Sequence, residues 1–117
     1  MDKKLSRGEG RLQVSLWATT IGPDWLVYLF NENAHIGAVA LGEYDAKTQR
    51  TSVSVITRLG HKDDAIAQKA AYLISKSTRK TVCVTAGIHL DNITQPEIAR
   101  ITENALDAVE EFLQVLK

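Results

Sequence analysis

The sequence predicts an α+β fold in which two helices pack on a single-layer, mainly antiparallel sheet of five strands, in the order ββββαβα. Residues 11–57 contain four stretches whose apolar side chains alternate or form short runs, which is typical of strands. Residues 64–117 contain two stretches with apolar positions three and four apart, which is typical of amphipathic helices, with one short apolar run between them. The predicted class therefore depends on two periodicities that change over at about residue 60.

The composition is that of one folded domain. The chain has 117 residues, of which 44% are hydrophobic and 24% charged. Fourteen basic residues balance fourteen acidic ones, so the net charge gives no support for binding nucleic acid or an anionic membrane surface. The one cysteine, Cys83, excludes an internal disulfide, and no apolar run approaches the roughly 20 residues of a membrane span. We expect a cytoplasmic protein.

The chain begins with a polar segment. Residues 1–10 contain two glycines and show no apolar period, so we treat them as a flexible N-terminal arm before a single α+β domain of residues 11–117. Alternating leucine and valine side chains predict the first strand over residues 11–20. The sequence Gly22-Pro23-Asp24 then favours a turn.

The second and third strands follow closely. The apolar run of residues 25–30 predicts a strand, and Asn31-Glu32-Asn33 after it predicts a short hairpin loop. Residues 35–44 predict the third strand, although Gly37 and the alanines beside it are poor strand formers. Small side chains there indicate close packing, by a helix more often than by a ligand.

The remaining elements have clear boundaries. Residues 51–57 alternate and predict the fourth strand, and a helix of about sixteen residues follows Asp63-Asp64. Residues 81–86 predict the fifth strand. Thr94-Gln95-Pro96-Glu97 matches a capping box with proline in the first turn, which predicts the start of a helix that continues to the C-terminus.

Three histidines that are distant in sequence, His35, His61 and His89, are expected at one end of this sheet. The third and fourth strands should be antiparallel, and a helix of sixteen residues is long enough to return the chain for a fifth strand parallel to the fourth. Both helices then begin at the same end, where unpaired amide groups attract phosphate or carboxylate. Gly60 would permit close backbone approach and Lys62 would supply a positive charge.

Simpler explanations exist for each of these residues. A histidine at the end of a strand is often a cap or a surface residue, and Asp91-Asn92 is about as well explained by loop shape as by binding. Asp63-Asp64 fits a pair that complements the helix dipole better than a metal pair. Cys83 fits an inert core thiol, and the tryptophans and Tyr28 fit core or interface aromatics.

Three segments together resemble a known family. They are residues 34–41 (AHIGAVAL), 60–64 (GHKDD) and 84–94 (VTAGIHLDNIT), in that order. The sequence resembles the small D-subunit family of gallate and hydroxyarylic acid decarboxylases, which is regarded as a family of prenylated-flavin chaperones. The likeness extends over roughly residues 12–116.

The resemblance implies a fold like that of the proteasome assembly chaperones, a homodimer, and a role in holding reduced prenylated flavin mononucleotide for a UbiD-type decarboxylase. It implies that the cofactor-binding residues are those at the family's motif positions. These are His35, Gly37, Gly60, His61, Lys62, His89, Asp91 and Asn92.

Three hypotheses follow. The first is a non-catalytic module that binds prenylated FMN or FMN, with no nucleophile and base in view to support independent catalysis. The second is a metal site, for zinc or a similar divalent ion, formed by His35, His61 and His89, with Asp91 as a further ligand. The third is a protein-assembly chaperone or decarboxylase subunit. A homodimer fits all three, since helices on one face of a sheet leave the other face uncovered.

Overall fold

The computed structural model describes residues 2–59 and 63–117. It is an α+β fold with two helices, as predicted, and a mostly antiparallel sheet. In chain order the elements are β1 (Lys3–Arg7), a 3-10 turn (Gly10–Leu12), β2 (Val14–Ile21), β3 (Asp24–Phe30), β4 (Ala38–Asp45), β5 (Arg50–Thr57), α1 (Asp64–Thr78), β6 (Val82–Gly87) and α2 (Gln95–Val115).

The predicted number of five strands is wrong, because the sheet has six, in the order β1-β2-β3-β6-β4-β5. The additional strand, β1, lies in the segment that the sequence analysis treats as an arm, and it pairs antiparallel with β2. Its sequence, KKLSR, has one apolar side chain, Leu5, which packs against the core. One apolar residue cannot produce a detectable period. The segment is held as a strand by its pairing with β2.

The predicted hairpin at Asn31-Glu32-Asn33 is also wrong. The last strand, β6, inserts between β3 and β4, pairing parallel with β3 and antiparallel with β4. The predicted chain direction is nevertheless correct, since β5 and β6 are both antiparallel to β4 and so run the same way. The ends of β3, β5 and β6 and the start of β4 therefore share one edge, which we call the polar end.

Both helices cover the same face of the sheet. Helix α1 packs on β4, β5 and β6, whereas α2 packs on β1 and β2. The small residues of β4 permit the close approach of α1, because a Cβ at Gly42 would lie 2.6 Å from the carbonyl oxygen of Ala71. The close packing predicted there is thus made by a helix. Neither helix is long and apolar enough to cross a membrane.

The opposite face of the sheet, which we call the open face, is covered by neither of the two helices of the described residues. Strand register places Trp17, Tyr28, Thr85, Val39 and Ile56 side by side in one row. A second row contains Leu26, Cys83 and Leu41. Cys83 is therefore half-buried on the open face and is not a core thiol, while Trp25 points to the helices and packs edge-on against Phe112 at 5.2 Å.

The capping box at the start of α2 is confirmed. The Thr94 hydroxyl accepts a hydrogen bond from the Glu97 amide, and a Glu97 carboxylate oxygen accepts one from the Thr94 amide at 3.0 Å. Arg11 pairs with the same carboxylate at 3.0 Å. The Thr94 amide, followed by Arg11, holds the pKa of Glu97 below its usual value.

These contacts predict an acid-dependent contribution to stability. A carboxylate whose pKa is lowered by folding stabilises the protein above the unfolded pKa, and this contribution is lost as the pH falls through the folded pKa. Glu97→Gln should therefore be less stable than wild type at pH 7, and the difference should close as urea unfolding is repeated down to about pH 3. Glu110→Gln, at an exposed carboxylate of the same helix, is the control; an equal loss in both variants would contradict the assignment.

Candidate functional site

The polar end is built on the segment that crosses the top of β6. After β3, residues 31–37 run across this edge before β4 begins. They lie directly on Gly87, the last residue of β6, because a Cβ on Gly87 would overlap the carbonyl oxygen of His35. The Gly37 amide donates to the Ala86 carbonyl at 2.9 Å, which fixes the far end of the segment. A glycine at 87 is thus what lets His35 lie at the centre of the edge.

Asn31 fastens this segment to the loop after β6. It is 5% exposed, and its side-chain amide donates to the His89 carbonyl at 2.9 Å while its carbonyl oxygen accepts from the His89 amide at 3.2 Å. The Asn33 side chain donates to the same His89 carbonyl at 2.8 Å. Buried amides with both ends bonded hold loops in one conformation. The two loops that carry His35 and His89 therefore form one unit.

The His35 ring is positioned by two oxygen atoms. Its Nδ1 lies 2.8 Å from the Asn33 carbonyl oxygen, and since a carbonyl only accepts, Nδ1 is the donor. Its Nε2 lies 3.5 Å from Oδ2 of Asp63, and the ring is about four-fifths buried. The imidazole is thereby held between the loop and the start of α1.

Asp63 is a buried charged group at the polar end. It is 6% exposed, and its Oδ1 accepts a hydrogen bond from the Ile88 amide at 3.2 Å. Its carboxylate fills the space that a side chain on Gly37 would occupy. Although Asp63 precedes α1, its side chain does not cap that helix. The carboxylate instead joins the start of α1 to the β6–α2 loop and to His35.

His89 and Asp91 lie at the outer rim. The His89 ring is 60% exposed, and its Nε2 donates to Oδ1 of Asp91 at 3.0 Å. Asn92 has a φ of 54°, which gives it a turn-forming position in the loop, and the Asp91 carbonyl accepts from Arg11 at 3.1 Å. The ring of His89 is thus accessible, whereas its backbone is fixed by Asn31.

The structure places five of the eight predicted site residues at the polar end. These five are His35, Gly37, His89, Asp91 and Asn92. Gly37 has no side chain, and the Asp63 carboxylate occupies the space that one would fill. Gly60, His61 and Lys62 fall outside the described residues. Within residues 2–59 and 63–117 no three His, Cys, Asp or Glu side chains are grouped to hold a metal ion, so zinc has no support.

The two helix starts differ in what they offer an anion. The first turn of α2 already holds the Glu97 carboxylate and is closed by its capping box. At α1 the Asp63 side chain accepts no capping hydrogen bond from the helix amides. At α2 the amides of Thr94 and Glu97 are already hydrogen-bonded within the capping box, so these two donors are not available to an anion.

Sequence reasoning missed two residues that organise the site. Asn31 reads as a turn former and Asp63 as one half of an acidic pair, yet both are buried and hydrogen-bonded. Burial is not visible from residue type in a loop. Their positions could have indicated a structural role, since Asn31 directly follows a predicted strand and Asp63 directly precedes a predicted helix.

Comparisons with known proteins agree with this architecture. A chain in the crystal structure of a chaperone complex for yeast 20S proteasome assembly matches with a TM-score of 0.60 and 19% identity, covering 98% of this chain and 94% of that one. This likeness shows the fold, as the family resemblance implied. The search of curated proteins gives no match. The model of the prenylated flavin chaperone LpdD-like domain matches residues 8–117, and the chain belongs to that family.

Proposed function

We propose that this protein binds reduced prenylated flavin mononucleotide without chemical change and delivers it to a UbiD-type hydroxyarylic acid decarboxylase. The observation that carries the proposal is family membership over residues 8–117, which covers nearly the whole chain. The cofactor-binding residues we propose are those at the family's motif positions: His35, Gly37, Gly60, His61, Lys62, His89, Asp91 and Asn92.

The geometry of the polar end supports reversible binding. A flavin presents polar ring atoms and a phosphate, and at the polar end the exposed ring of His89 and the exposed carboxylate of Asp91 offer polar atoms to such a ligand. A carrier must also release its ligand, which favours non-covalent contacts. Burial raises the pKa of the Cys83 thiol, so this thiol is protonated at neutral pH and a poor nucleophile.

His35 provides the sharpest test of the site. Under anaerobic conditions, wild-type protein should bind reduced prenylated FMN in calorimetry, and His35→Asn should bind at least about tenfold more weakly. Asparagine keeps an N–H donor near the Asn33 carbonyl but removes the ring atoms that face Asp63, so the contact that holds this loop against the start of α1 is lost. The loaded wild-type protein should also activate an apo UbiD-type decarboxylase, with less activation from the variant.

Glu32→Gln is the matched control, because Glu32 is exposed in the same loop. Thermal unfolding of both variants separates loss of binding from loss of fold. Wild-type affinity in a folded His35→Asn variant would remove His35 from the site, and absence of any binding by the wild-type protein would refute the proposed function.

We also propose that the protein works as a homodimer paired through the open face. Large apolar side chains spread over four strands support a protein partner there, and a second copy presents the same surface. Neither of the other hypotheses has a specific observation in its favour: zinc lacks a ligand set among the described residues, and likeness to the yeast complex concerns the fold.

A further inference from the structure

A groove runs from the polar end between the first halves of α1 and α2. It has a volume of about 630 Å³, within the range of roughly 300–1,000 Å³ typical of small-molecule sites. Asp63 and His89 line its polar end, and Lys69 and Thr102 contribute the other polar side chains of the wall. The remaining lining is aliphatic: Ala65, Ile66, Ile88, Leu90, Ile93, Ile98, Ile101 and Leu106.

The groove exposes apolar surface to water. Ile93 is 37% exposed and Ile98 is 41% exposed, both on the α2 side of the groove. Elsewhere the buried faces of the helices are rich in alanine, such as Ala70 and Ala105, and are fully covered. Branched aliphatic side chains left open beside a polar cluster are typical of a binding surface.

Charge indicates what kind of molecule fits. Lys69 is the basic residue of the lining and forms no ion pair within the described parts of the chain. It lies six residues after Asp63, which is about 9 Å along the helix. A ligand with a flat apolar body and a negative group would gain burial from the aliphatic walls and attraction from Lys69.

We infer that the fused ring system of the reduced prenylated flavin lies in this groove, between the isoleucines of α1 and α2, with its anionic phosphate attracted by Lys69. This inference rests on the proposed function and adds to it the location of the apolar part of the ligand. The polar-end residues then contact the ring edge nearest to them.

Isoleucine methyl groups make the inference testable directly. Protein labelled with ¹³C at the isoleucine δ1 methyl groups is titrated anaerobically with reduced prenylated FMN. The five groove isoleucines, Ile66, Ile88, Ile93, Ile98 and Ile101, should shift because an aromatic ring alters the field at nearby methyls. Ile21, which is 60% exposed at the end of β2, should stay unchanged.

A substitution gives an independent readout. Ile98→Glu places a carboxylate in the groove and should weaken binding at least tenfold. Val115→Glu makes the same kind of change at a residue that is 50% exposed at the far end of α2, and should bind within twofold of wild type.

Binding that shifts Ile21 and leaves the groove methyls unchanged would overturn the inference while the proposed function stands. So would wild-type affinity in a folded Ile98→Glu variant. No binding by wild-type protein would instead refute the proposed function, and this inference with it.

Discussion

Gly87→Ala should lower the free energy of unfolding by about 3 kcal/mol, the upper end of the range for overpacking a well-packed site. The added methyl group would overlap the carbonyl oxygen of His35, and the amide nitrogen of His35 would be only 2.9 Å away. These atoms are backbone, so no rotamer change relieves the overlap. The segment of residues 31–37 must move off the sheet edge.

That displacement should also abolish flavin binding. Moving the His35 backbone separates its ring from Asp63 and strains the hydrogen bond from the Gly37 amide to Ala86. Urea unfolding gives the stability change, and anaerobic calorimetry with reduced prenylated FMN gives the binding change. Both effects have one cause, so they should appear together.

Gly22→Ala is the control for losing a glycine. Gly22 has a φ of 58° in the β2–β3 turn and open space where the Cβ would stand. An alanine there costs about 1 kcal/mol from backbone conformation alone and leaves the polar end intact. If Gly87→Ala is no more destabilising than Gly22→Ala, close contact at Gly87 is not what positions His35.

Local pattern was sufficient to predict most of the secondary structure. Alternation predicted β2 and β5, and a capping box predicted the first turn of α2, because each signal depends on residues a few positions apart. β1 was not predicted, because its sequence has only one apolar side chain and the strand is held in place by its pairing with β2. Apolar periodicity indicates which face of a strand is buried, but it does not indicate which strands pair with each other.

His35 and His89 lie at one end of the sheet, as predicted, although the predicted strand order is wrong. We expected the last strand beside β5, whereas β6 lies between β3 and β4. Strand direction alone decides which end a loop reaches, and the direction of β6 was predicted correctly. His35 and His89 therefore meet at the polar end despite the wrong strand order.

The buried polar contacts were beyond the reach of sequence. The role of Asp63 depends on the space above Gly37 and on the Ile88 amide, which are brought together only by the complete sheet. A sequence shows that a carboxylate is present at a helix start, and a helix dipole explains it adequately. Which of two neighbouring carboxylates turns inward is settled by packing.

The open face leads to the second large effect, on oligomeric state. Six strands about seven residues long present a face of roughly 600 Å², near the roughly 800 Å² that each partner contributes to a standard interface. Tyr28 and Phe30 stack on this face at 4.6 Å, and Ile56 is 74% exposed. We expect wild-type protein to sediment as a dimer, at twice the 12.9 kDa mass of the chain.

Leu26→Glu should convert this dimer to a monomer. Leu26 lies beside Cys83 on the open face, so a two-fold dimer formed through this face would bury two unpaired carboxylates. We expect the dimer affinity to fall at least about 100-fold, which corresponds to about 2.7 kcal/mol. This is a modest estimate for unpaired charge buried in an interface. The side chain is outside the core beneath the helices, so the monomer should keep its circular dichroism spectrum.

Val115→Glu again serves as the control, because it adds the same charge to an exposed apolar position on a helix and not on the open face. It should remain dimeric in sedimentation velocity at the concentration where Leu26→Glu is monomeric. A dimer that persists in Leu26→Glu would show that the copies meet elsewhere. If the wild-type protein is a monomer at micromolar concentration, the open face does not form a homodimer and must bind a different partner. The apo-decarboxylase that receives the flavin is then the protein to test for binding.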